Sequence, residues 1–253
     1  MPRIDCLGAD GRIVIIAIDH PLYSWPCRGL EDRAEVIRSC AASGVDAIIA
    51  GYGTIRDFRL DFGTMKPILK LDLTSVTLGG HYPLTEYVMA YSLDDAERLG
   101  VKTVLNFIQL GAPFELETLR QSAKLAADCD RRGFSYLCEI MPVKSAMFPD
   151  AEAPDAIVAA CRTGQEIGAH FIKTSMPVPM EGIRAAVSAS GIPVVLAGGA
   201  PANDPVSYDA AIGKALDAGV SGIAIGRNAW GSPDPPAAIA RFVTLVHGQR
   251  YQR

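Results

Sequence analysis

The chain has 253 residues, 49% of them hydrophobic and 21% charged, so it can bury a large core and lies within the length range of α/β barrels. Its formal net charge of −4 argues against nucleic acid as the main partner, because that role needs a basic face. No apolar run reaches the ~20 residues of a membrane helix, and the first residues lack the apolar core of a signal peptide. We therefore expect neither export nor membrane insertion.

The cysteines and histidines give no sign of disulfides or metal. Six cysteines are scattered along the chain without a C-x-x-C pair, which is typical of reduced thiols and predicts a cytoplasmic protein. Four histidines show neither H-x-H nor H-x-x-x-H spacing, and no pair of cysteines has the pattern of a zinc site. We therefore expect no metal and no cofactor.

Short apolar runs, each followed by a segment of helical periodicity, recur along the chain. Eight runs are predicted strands, at residues 13–20, 46–52, 67–73, 103–108, 136–141, 171–176, 193–199 and 222–227. The clearest helical segments, each ending at glycine, are residues 30–44, 115–133 and 155–168. Strands and helices therefore alternate along the chain.

This alternation predicts the fold. Apolar strands alternating with helices indicate a parallel sheet covered on both faces, and eight such units fit a (β/α)8 barrel, an α/β fold. The alternative is a doubly wound open sheet, which usually has a G-x-G-x-x-G turn after its first strand. Here that turn reads "AIDHPLYSW" and has no glycine. We therefore expect residues 1–253 to form a single-domain (β/α)8 TIM barrel.

In such a barrel the active site lies at the C-terminal ends of the strands. Polar residues and glycines near the predicted strand ends are therefore the candidates for function. They are Asp19, His20, Lys70, Asp72, Asn106, Glu139, Lys173, Ser175, Gly198, Gly199, Gly226 and Arg227.

Lys173 stands out because it interrupts an otherwise apolar strand, "HFIKTS". It can be half of a structural ion pair, as many strand-end lysines are. Burial disfavours the charged form of an amine, however, so a buried lysine can also attack a carbonyl and form a Schiff base. The protonated Schiff base withdraws electrons and allows a neighbouring carbon–carbon bond to break or form without a metal.

Such chemistry needs a group that moves protons, and Asp19 is the first candidate. It ends an apolar strand, where an unpaired carboxylate is costly, so we expect Lys173 to be its partner in the barrel mouth. A purely structural pair of the two residues is an equal alternative. His20 is a weaker candidate, because it can equally cap the loop before Pro21.

Lys70 and Asp72 share one face of the third predicted strand by period-two alternation. We expect both, together with Ser175, to contact the substrate. Lys70 has three possible roles: it can repel the charge of Lys173, anchor the substrate, or lie at the bottom of the barrel with no role. The "GGHY" stretch that follows is expected to shape substrate access.

The last two predicted strands end in "AGGA" and "IGRNAW". Gly198, Gly199 and Gly226 would expose backbone N–H groups near the starts of short helices, and Arg227 would add a positive charge. Barrels often bind phosphate at this position, so we expect a phosphate site here.

Five stretches carry a likeness to a known family: "GRIVIIAIDHP" at the first strand, "GVDAIIAGYGTIR" at the second, "GAHFIKTS" at the sixth, "PVVLAGG" at the seventh and "ALDAGVSGIAIGRNAW" at the eighth. With them the chain resembles the class I aldolases of the archaeal fructose-bisphosphate aldolase type, within the deoxyribose-phosphate aldolase-like superfamily. The resemblance covers most of the chain, and its C-terminal half is the more specific part.

The resemblance implies a Schiff base on Lys173, proton transfer assisted by Asp19, and a substrate phosphate held by the seventh and eighth strands. One position departs from the family, in which many members carry tyrosine and then proline at the end of strand five, as a general acid/base. Here Met141 precedes the proline. Glu139 lies two residues earlier on the same strand face, so we propose it as the replacement acid/base or as a contact to substrate hydroxyls. A salt bridge from Glu139 to Lys70 is the alternative.

We therefore expect a metal-independent class I aldolase, a lyase that cleaves or forms a carbon–carbon bond in a phosphorylated keto sugar or related keto compound. The alternatives are an imine-dependent transferase of transaldolase or thiolase type and a non-catalytic barrel that binds a phosphorylated ligand. We expect a small phosphorylated carbonyl compound as the partner. Because barrels of this kind commonly assemble through their helices, we also expect a homo-oligomer.

Overall fold

The computed structural model describes residues 4–74, 77–78 and 87–248, and in it eight parallel strands close into a barrel. The barrel strands are β1 (Ile13–Ala17), β2 (Ala47–Ala50), β3 (Lys66–Lys70), β4 (Thr103–Leu110), β5 (Ser135–Pro142), β6 (Phe171–Thr174), β7 (Val194–Ala197) and β8 (Gly222–Ile225). They follow one another in chain order, and β8 pairs with β1. Short strands outside the barrel are Ser24–Trp25 with Thr77–Leu78, in parallel, and Asp72–Thr74 with Tyr87–Met89, antiparallel. The predicted (β/α)8 barrel is confirmed.

Helices surround the barrel and connect its strands. Those in the described part of the chain are α1 (Arg33–Ser43), α2 (Tyr52–Asp57), α3 (Leu93–Arg98), α4 (Glu115–Arg132), α5 (Pro154–Glu166), α6 (Ile183–Ser190), α7 (Pro205–Asp217), α8 (Arg227–Trp230) and α9 (Pro235–His247), with 3-10 turns at His20–Leu22, Arg59–Phe62 and Met180–Gly182. At the start of α1 the Asp32 side chain accepts a hydrogen bond from the backbone N–H of Glu35, and Gly44 ends the helix with a φ of 78°. None of these helices is long and apolar enough to cross a lipid bilayer.

Two apolar layers hold the barrel together. Alternate strand residues, such as Ile15, Leu137 and Phe171, fill the barrel interior and are fully buried. The intervening residues, such as Ile16 and Ile172, pack against the surrounding helices. Strands that are buried on both faces read as continuous apolar runs, which is why the sequence located them.

The barrel closes where β8 meets β1. A Cβ atom on Gly222 would lie 1.8 Å from the carbonyl oxygen of Ile13, so only glycine fits at this seam. Beyond the seam, the indole N–H of Trp230 in α8 donates a 2.9 Å hydrogen bond to the carbonyl of Ala17. These contacts fix the loop after β8 against the end of β1, which carries Asp19.

The third strand is shorter than the predicted run of residues 67–73. β3 ends at Lys70, and residues 72–74 leave the barrel to pair with residues 87–89. Asp72 therefore lies beyond the barrel strand, which corrects its predicted placement on that strand. The "GGHY" stretch, which was expected to shape substrate access, lies outside the described residues.

The six cysteines are buried and carry free thiols, as their scattered spacing predicted. Burial raises the pKa of Cys40 and of Cys161 to about 12. Both thiols therefore stay protonated near neutral pH and act as small apolar side chains of the core.

Candidate active site

The C-terminal ends of the barrel strands surround a cavity of about 340 Å³. Interior positions that are apolar lower in the barrel become polar here: on β6, Phe171 is followed two residues later by Lys173. The predicted site residues that line the cavity are Lys70, Glu139, Lys173, Ser175, Gly198, Gly199, Gly226 and Arg227. Asp19 and Asp72 are buried, and each lies against a residue of the cavity wall.

Lys173 and Glu139 form an ion pair between neighbouring strands. The two residues are register partners on β6 and β5, and Lys173 Nζ lies 2.6 Å from Glu139 Oε1. Their side chains are only 5% and 9% exposed. Taking two charges out of water is costly, so a buried pair of this kind is weak evidence for a role in stability. Its geometry keeps a carboxylate within proton-transfer distance of the amine.

Lys70 forms a second buried ion pair. Its Nζ donates to both carboxylate oxygens of Asp72 at 3.1 Å, and Asp72 Oδ1 also accepts the backbone N–H of Phe107 at 3.0 Å. Burial alone would lower the pKa of Lys70, but the negative charges of Asp72 and then Glu139 outweigh it and raise that pKa. Lys70 therefore stays an ammonium. Because it lines the cavity, it does not lie at the bottom of the barrel, and because its partner is Asp72, the alternative Glu139–Lys70 bridge is wrong.

Asp19 is not the partner of Lys173, which corrects the pairing predicted from the sequence. Both carboxylate oxygens of Asp19 are buried, and neither has a hydrogen-bond partner among the described residues. The imidazole of His20 lies beside it, with Nδ1 3.9 Å from Asp19 Oδ1, beyond hydrogen-bonding distance. The pairing failed because β1 and β6 are not adjacent in the barrel, whereas β5 and β6 are. A buried carboxylate without a partner calls for an explanation, and Asp19 lies directly behind His20 of the cavity wall.

His20 is a neutral imidazole that belongs to the cavity wall. Burial, followed by the positive charge of Lys173, lowers the pKa of His20 to about 3. The ring contacts Trp230 edge to face, with ring centroids 5.1 Å apart. It also packs against Gly226, where a Cβ atom would lie 2.4 Å from the imidazole Cε1. His20 therefore lines the site and does not act as a loop cap alone.

The loops after β7 and β8 are tied together beside the cavity. The side-chain amide of Asn228 donates to the carbonyls of Gly198 and Ala200 at 2.9 and 3.0 Å, and its oxygen accepts the backbone N–H of Ala202 at 2.7 Å. Arg227 donates to the carbonyl of Gly199 at 2.9 Å. Only the loop after β8 leads directly into a short helix, α8; the helix after β7 begins seven residues beyond the first glycine, at Pro205. The prediction that the glycines lie near the start of a short helix is therefore correct for β8 and wrong for β7.

Other residues of the cavity wall were not predicted from the sequence. They are Ala17, Tyr23, Phe107, Gln109, Glu152, Met176, Ala197 and Ala224. Phe107 and Gln109 follow the period-two alternation of β4 and were recoverable from it. The same alternation turns Asn106 away from the cavity: its amide bonds Ser122 of α4 and Tyr87, each at 2.8 Å. Asn106 is therefore a structural residue between strand and helix.

A larger cavity of about 750 Å³ lies at the opposite end of the barrel. Asp5 and Cys6 of the N-terminal segment and Lys66 at the start of β3 are part of its wall. The N-terminal end of a barrel serves stability, whereas chemistry takes place at the other end, so we assign the site to the smaller cavity. Within the described ranges, no three His, Cys, Asp or Glu side chains are grouped so that they could hold a metal ion.

The family model for DeoC/LacD family aldolases matches residues 13–232, which include every strand of the barrel. The chain belongs to this family. The prediction of an aldolase, a carbon–carbon lyase, is therefore confirmed for this DeoC/LacD family member, and the site described above lies where the fold places its chemistry.

Two relatives of this DeoC/LacD family aldolase are synthases. A 2-amino-3,7-dideoxy-D-threo-hept-6-ulosonate synthase of Halobacterium salinarum is 31% identical over 247 residues, which cover 97% of this chain and 90% of the relative. A 2-amino-4,5-dihydroxy-6-oxo-7-(phosphonooxy)heptanoate synthase of Streptomyces griseus is 25% identical, over 93% of this chain and 85% of the relative.

Solved structures agree with the fold of this DeoC/LacD family aldolase. The crystal structure of an archaeal fructose 1,6-bisphosphate aldolase has a TM-score of 0.86 and 24% identity, and 96% of each chain is covered. An archaeal fructose-1,6-bisphosphate aldolase with its catalytic lysine bound to a carbinolamine intermediate has a TM-score of 0.86 and 23% identity, over 96% of this chain and 97% of the other.

Proposed function

We propose that this aldolase forms a Schiff base between Lys173 and the ketone of a small phosphorylated substrate. The observation that carries the proposal is the Lys173–Glu139 pair: a buried amine on the cavity wall with a carboxylate 2.6 Å from its nitrogen. Lys70 also lines the cavity and also has a carboxylate partner, but the negative charges around it raise its pKa. Lys173 lies at the strand-six position at which the resembled family forms its Schiff base, so Lys173 is proposed as the nucleophile.

Glu139 is the proton-transfer partner of Lys173 in this proposal. When Glu139 takes a proton from the ammonium, the free amine attacks the ketone carbon. Glu139 then passes that proton to the new alkoxide and takes a second proton from the nitrogen, which gives a neutral carbinolamine. Protonation of the carbinolamine hydroxyl by the same carboxyl group releases water and leaves the protonated imine. Both protons that leave the nitrogen of Lys173 thus end in the water molecule. Glu139 thus takes the acid/base role of the family's strand-five tyrosine, which Met141 cannot take because its side chain has no transferable proton.

Asp19 is proposed to act on the substrate, because neither of its oxygens has a protein partner in the described part of the chain. A buried carboxylate without protein partners is costly, and a substrate hydroxyl beside it would supply hydrogen bonds. The next step of the reaction removes a proton from the carbon beside the imine. A carboxylate base at this wall of the cavity can receive it.

The phosphate of the substrate is proposed to bind between the loops after β7 and β8. Gly198, Gly199 and Gly226 bring backbone close to the cavity, and Arg227 adds a positive charge beside them. Arg227 is exposed and already bonded to the carbonyl of Gly199, so it closes one side of the phosphate site. Ser175 lies on the same wall and is proposed to contact the substrate.

The names of the two relatives support a keto compound as the substrate. Both describe seven-carbon acids with an amino group at carbon 2 and a keto group at carbon 6, and one carries a phosphate on carbon 7. A keto group beside a phosphorylated carbon matches a site with Lys173 near the phosphate loops. We therefore infer a phosphorylated ketone as donor and an aldehyde as acceptor, and a cytoplasmic homo-oligomer remains our expectation.

The imine is tested by reduction with borohydride in the presence of dihydroxyacetone phosphate, followed by intact mass and peptide mapping. We expect one adduct per chain, on Lys173. Lys173→Met is expected to abolish the adduct, whereas Lys214→Met, a change on the remote helix α7, is expected to keep it. An adduct on Lys70 would show that the wrong lysine was assigned, and folded protein without any adduct would favour a barrel that only binds its ligand.

A further inference from the structure

Lys70 has no role in the proposed function, although it lines the cavity and is only 2% exposed. Its ammonium is held in place from several sides. Asp72 binds it at 3.1 Å and is itself held by the Phe107 backbone, and the rings of Tyr23 and Phe107 lie 5.9 and 5.5 Å from Nζ. Lys70 is therefore a fixed positive charge in a site of low dielectric constant.

One N–H of Lys70 is free to meet a ligand. An ammonium has three N–H groups, and Asp72 can accept two of them. No other acceptor in the described ranges lies within hydrogen-bonding distance of Nζ. A cation that is buried, fixed and incompletely bonded is the arrangement that stabilises negative charge as it develops on a substrate.

The position of Lys70 fits the acceptor end of the cavity. In the barrel, β3 lies diametrically opposite β7, because the eight strands follow in chain order. A donor with its phosphate at the loops after β7 and β8 and its ketone carbon on Lys173 leaves the β3 side for the aldehyde. Met141 also lines the wall, but it has no proton to give to the oxygen of the aldehyde.

We propose that Lys70 stabilises the oxygen of the acceptor aldehyde while the carbon–carbon bond forms or breaks. The inference rests on the proposed function, because it needs the enamine on Lys173 as nucleophile. It gives the two lysines of the cavity separate roles: Lys173 activates the ketone, and Lys70 acts on the aldehyde.

The enamine carbon attacks the aldehyde carbon, the carbonyl π electrons move to oxygen, and the enamine nitrogen becomes an iminium. Lys70 hydrogen-bonds the alkoxide and transfers one proton to it. Asp19 holds the proton that it took earlier from the donor carbon. This proton returns to Lys70 and restores its ammonium. The addition therefore needs no external acid, and cleavage runs through the same steps in reverse.

The test separates the two halves of the reaction in Lys70→Met, Lys70→Arg and the double variant Lys70→Met with Asp72→Asn. The double variant leaves no uncompensated buried carboxylate, and the asparagine oxygen can still accept the N–H of Phe107. Imine formation is measured by borohydride trapping of dihydroxyacetone phosphate, and enamine formation by exchange of its α-proton in D₂O. Condensation is measured with glyceraldehyde 3-phosphate, erythrose 4-phosphate and 2-amino-4-oxobutanoate.

We expect trapping and exchange within about threefold of wild type in the double variant, and condensation slower by roughly 100-fold to 1,000-fold. Lys70→Arg should retain part of the condensation, because it keeps the charge. Condensation at the wild-type rate, or an equal loss in all three assays, overturns the inference. Wild-type protein that traps the donor but condenses it with none of the aldehydes also overturns it, and leaves the imine proposal standing. Absence of trapping in wild type removes both.

Discussion

Glu139 and Lys173 are register partners on adjacent strands, so their side chains leave the sheet side by side and meet at 2.6 Å. Parallel strands place such partners at a fixed spacing, which makes the contact a property of the backbone and not of a loop.

Glu139→Gln is expected to lower kcat by about 100-fold or more, because the amide can accept a hydrogen bond from Lys173 but cannot take its proton. The KM for the ketone should change little, and borohydride trapping should become slow. Glu166→Gln, on the surface of α5, is the control and should match wild type. A Glu139→Gln enzyme with an unchanged rate of trapping would remove Glu139 from the chemistry.

Asp19→Asn is expected to make the protein more stable and less active. Both oxygens of Asp19 are buried without a partner in the described residues, so the neutral amide should raise the free energy of unfolding by about 1 kcal/mol or more. Proton removal from the donor should fall sharply, which α-proton exchange would measure. Urea unfolding gives the stability. A variant that loses stability would mean that the carboxylate has a structural partner.

Asn228→Ala is expected to weaken phosphate binding without changing the chemistry. It removes three hydrogen bonds that hold the loop after β7 to α8. The KM for dihydroxyacetone phosphate should rise about tenfold, which corresponds to about 1.4 kcal/mol, while kcat stays within a few fold. Asn203→Ala, at an exposed position of the same loop, is the control. Equal KM increases for dihydroxyacetone and its phosphate would contradict the assignment.

Gly226→Ala and Gly213→Ala should have opposite effects on stability. A Cβ at 226 would lie 2.4 Å from the His20 ring and 2.8 Å from the Ala17 carbonyl, so we expect a loss of about 1–3 kcal/mol and a displaced His20. Gly213 lies inside α7 with open space around it, so alanine should add about 0.5–1 kcal/mol. Thermal unfolding of both variants measures the two changes in stability. A neutral Gly226→Ala would show that His20 moves freely.

His247 is expected to make stability depend on pH. Burial lowers its pKa, but hydrogen bonds from the ring to Asp46 at 2.8 Å and Asp10 at 2.7 Å outweigh this and raise it above its ordinary value. A histidine whose pKa is raised in the folded state stabilises the fold fully at pH values below its unfolded pKa of about 6.5. This stabilisation is lost as the pH rises through the pKa of the folded state. The stability difference between wild type and His247→Gln should therefore shrink from pH 5.5 to pH 9. A constant difference would contradict the linkage.

The sequence located the elements of the barrel well and its contacts less well. Buried parallel strands are continuous apolar runs, so all eight were found, and the positions of Lys173 and Glu139 near strand ends predicted that both belong to the site. The pairing of Asp19 with Lys173 was wrong, because a list of strand ends does not say which ends are neighbours. Strand order would have favoured Glu139, since β5 adjoins β6. The single-domain extent of residues 1–253 and the homo-oligomer stay predictions.

The early end of β3 was missed for a different reason. The run from 67 to 73 is apolar and alternating, but its last part pairs with residues 87–89 outside the barrel. Such pairing depends on a partner from later in the chain, which local pattern does not reveal. The charge of Lys70 was visible in the sequence, but its partner, Asp72, and its separation from Lys173 became clear only from the fold.

The seam between β1 and β8 joins residues that are far apart in the order of synthesis. The hydrogen bond from Trp230 to Ala17 spans 213 positions of the chain. During translation, β1 therefore has one unpaired edge until β8 has left the ribosome, and an unpaired edge is a template for association with other strands. The loop after β8 also carries Gly226 and Arg227. The proposed phosphate site thus forms only when the barrel closes, so an unfinished chain has no ligand to stabilise it.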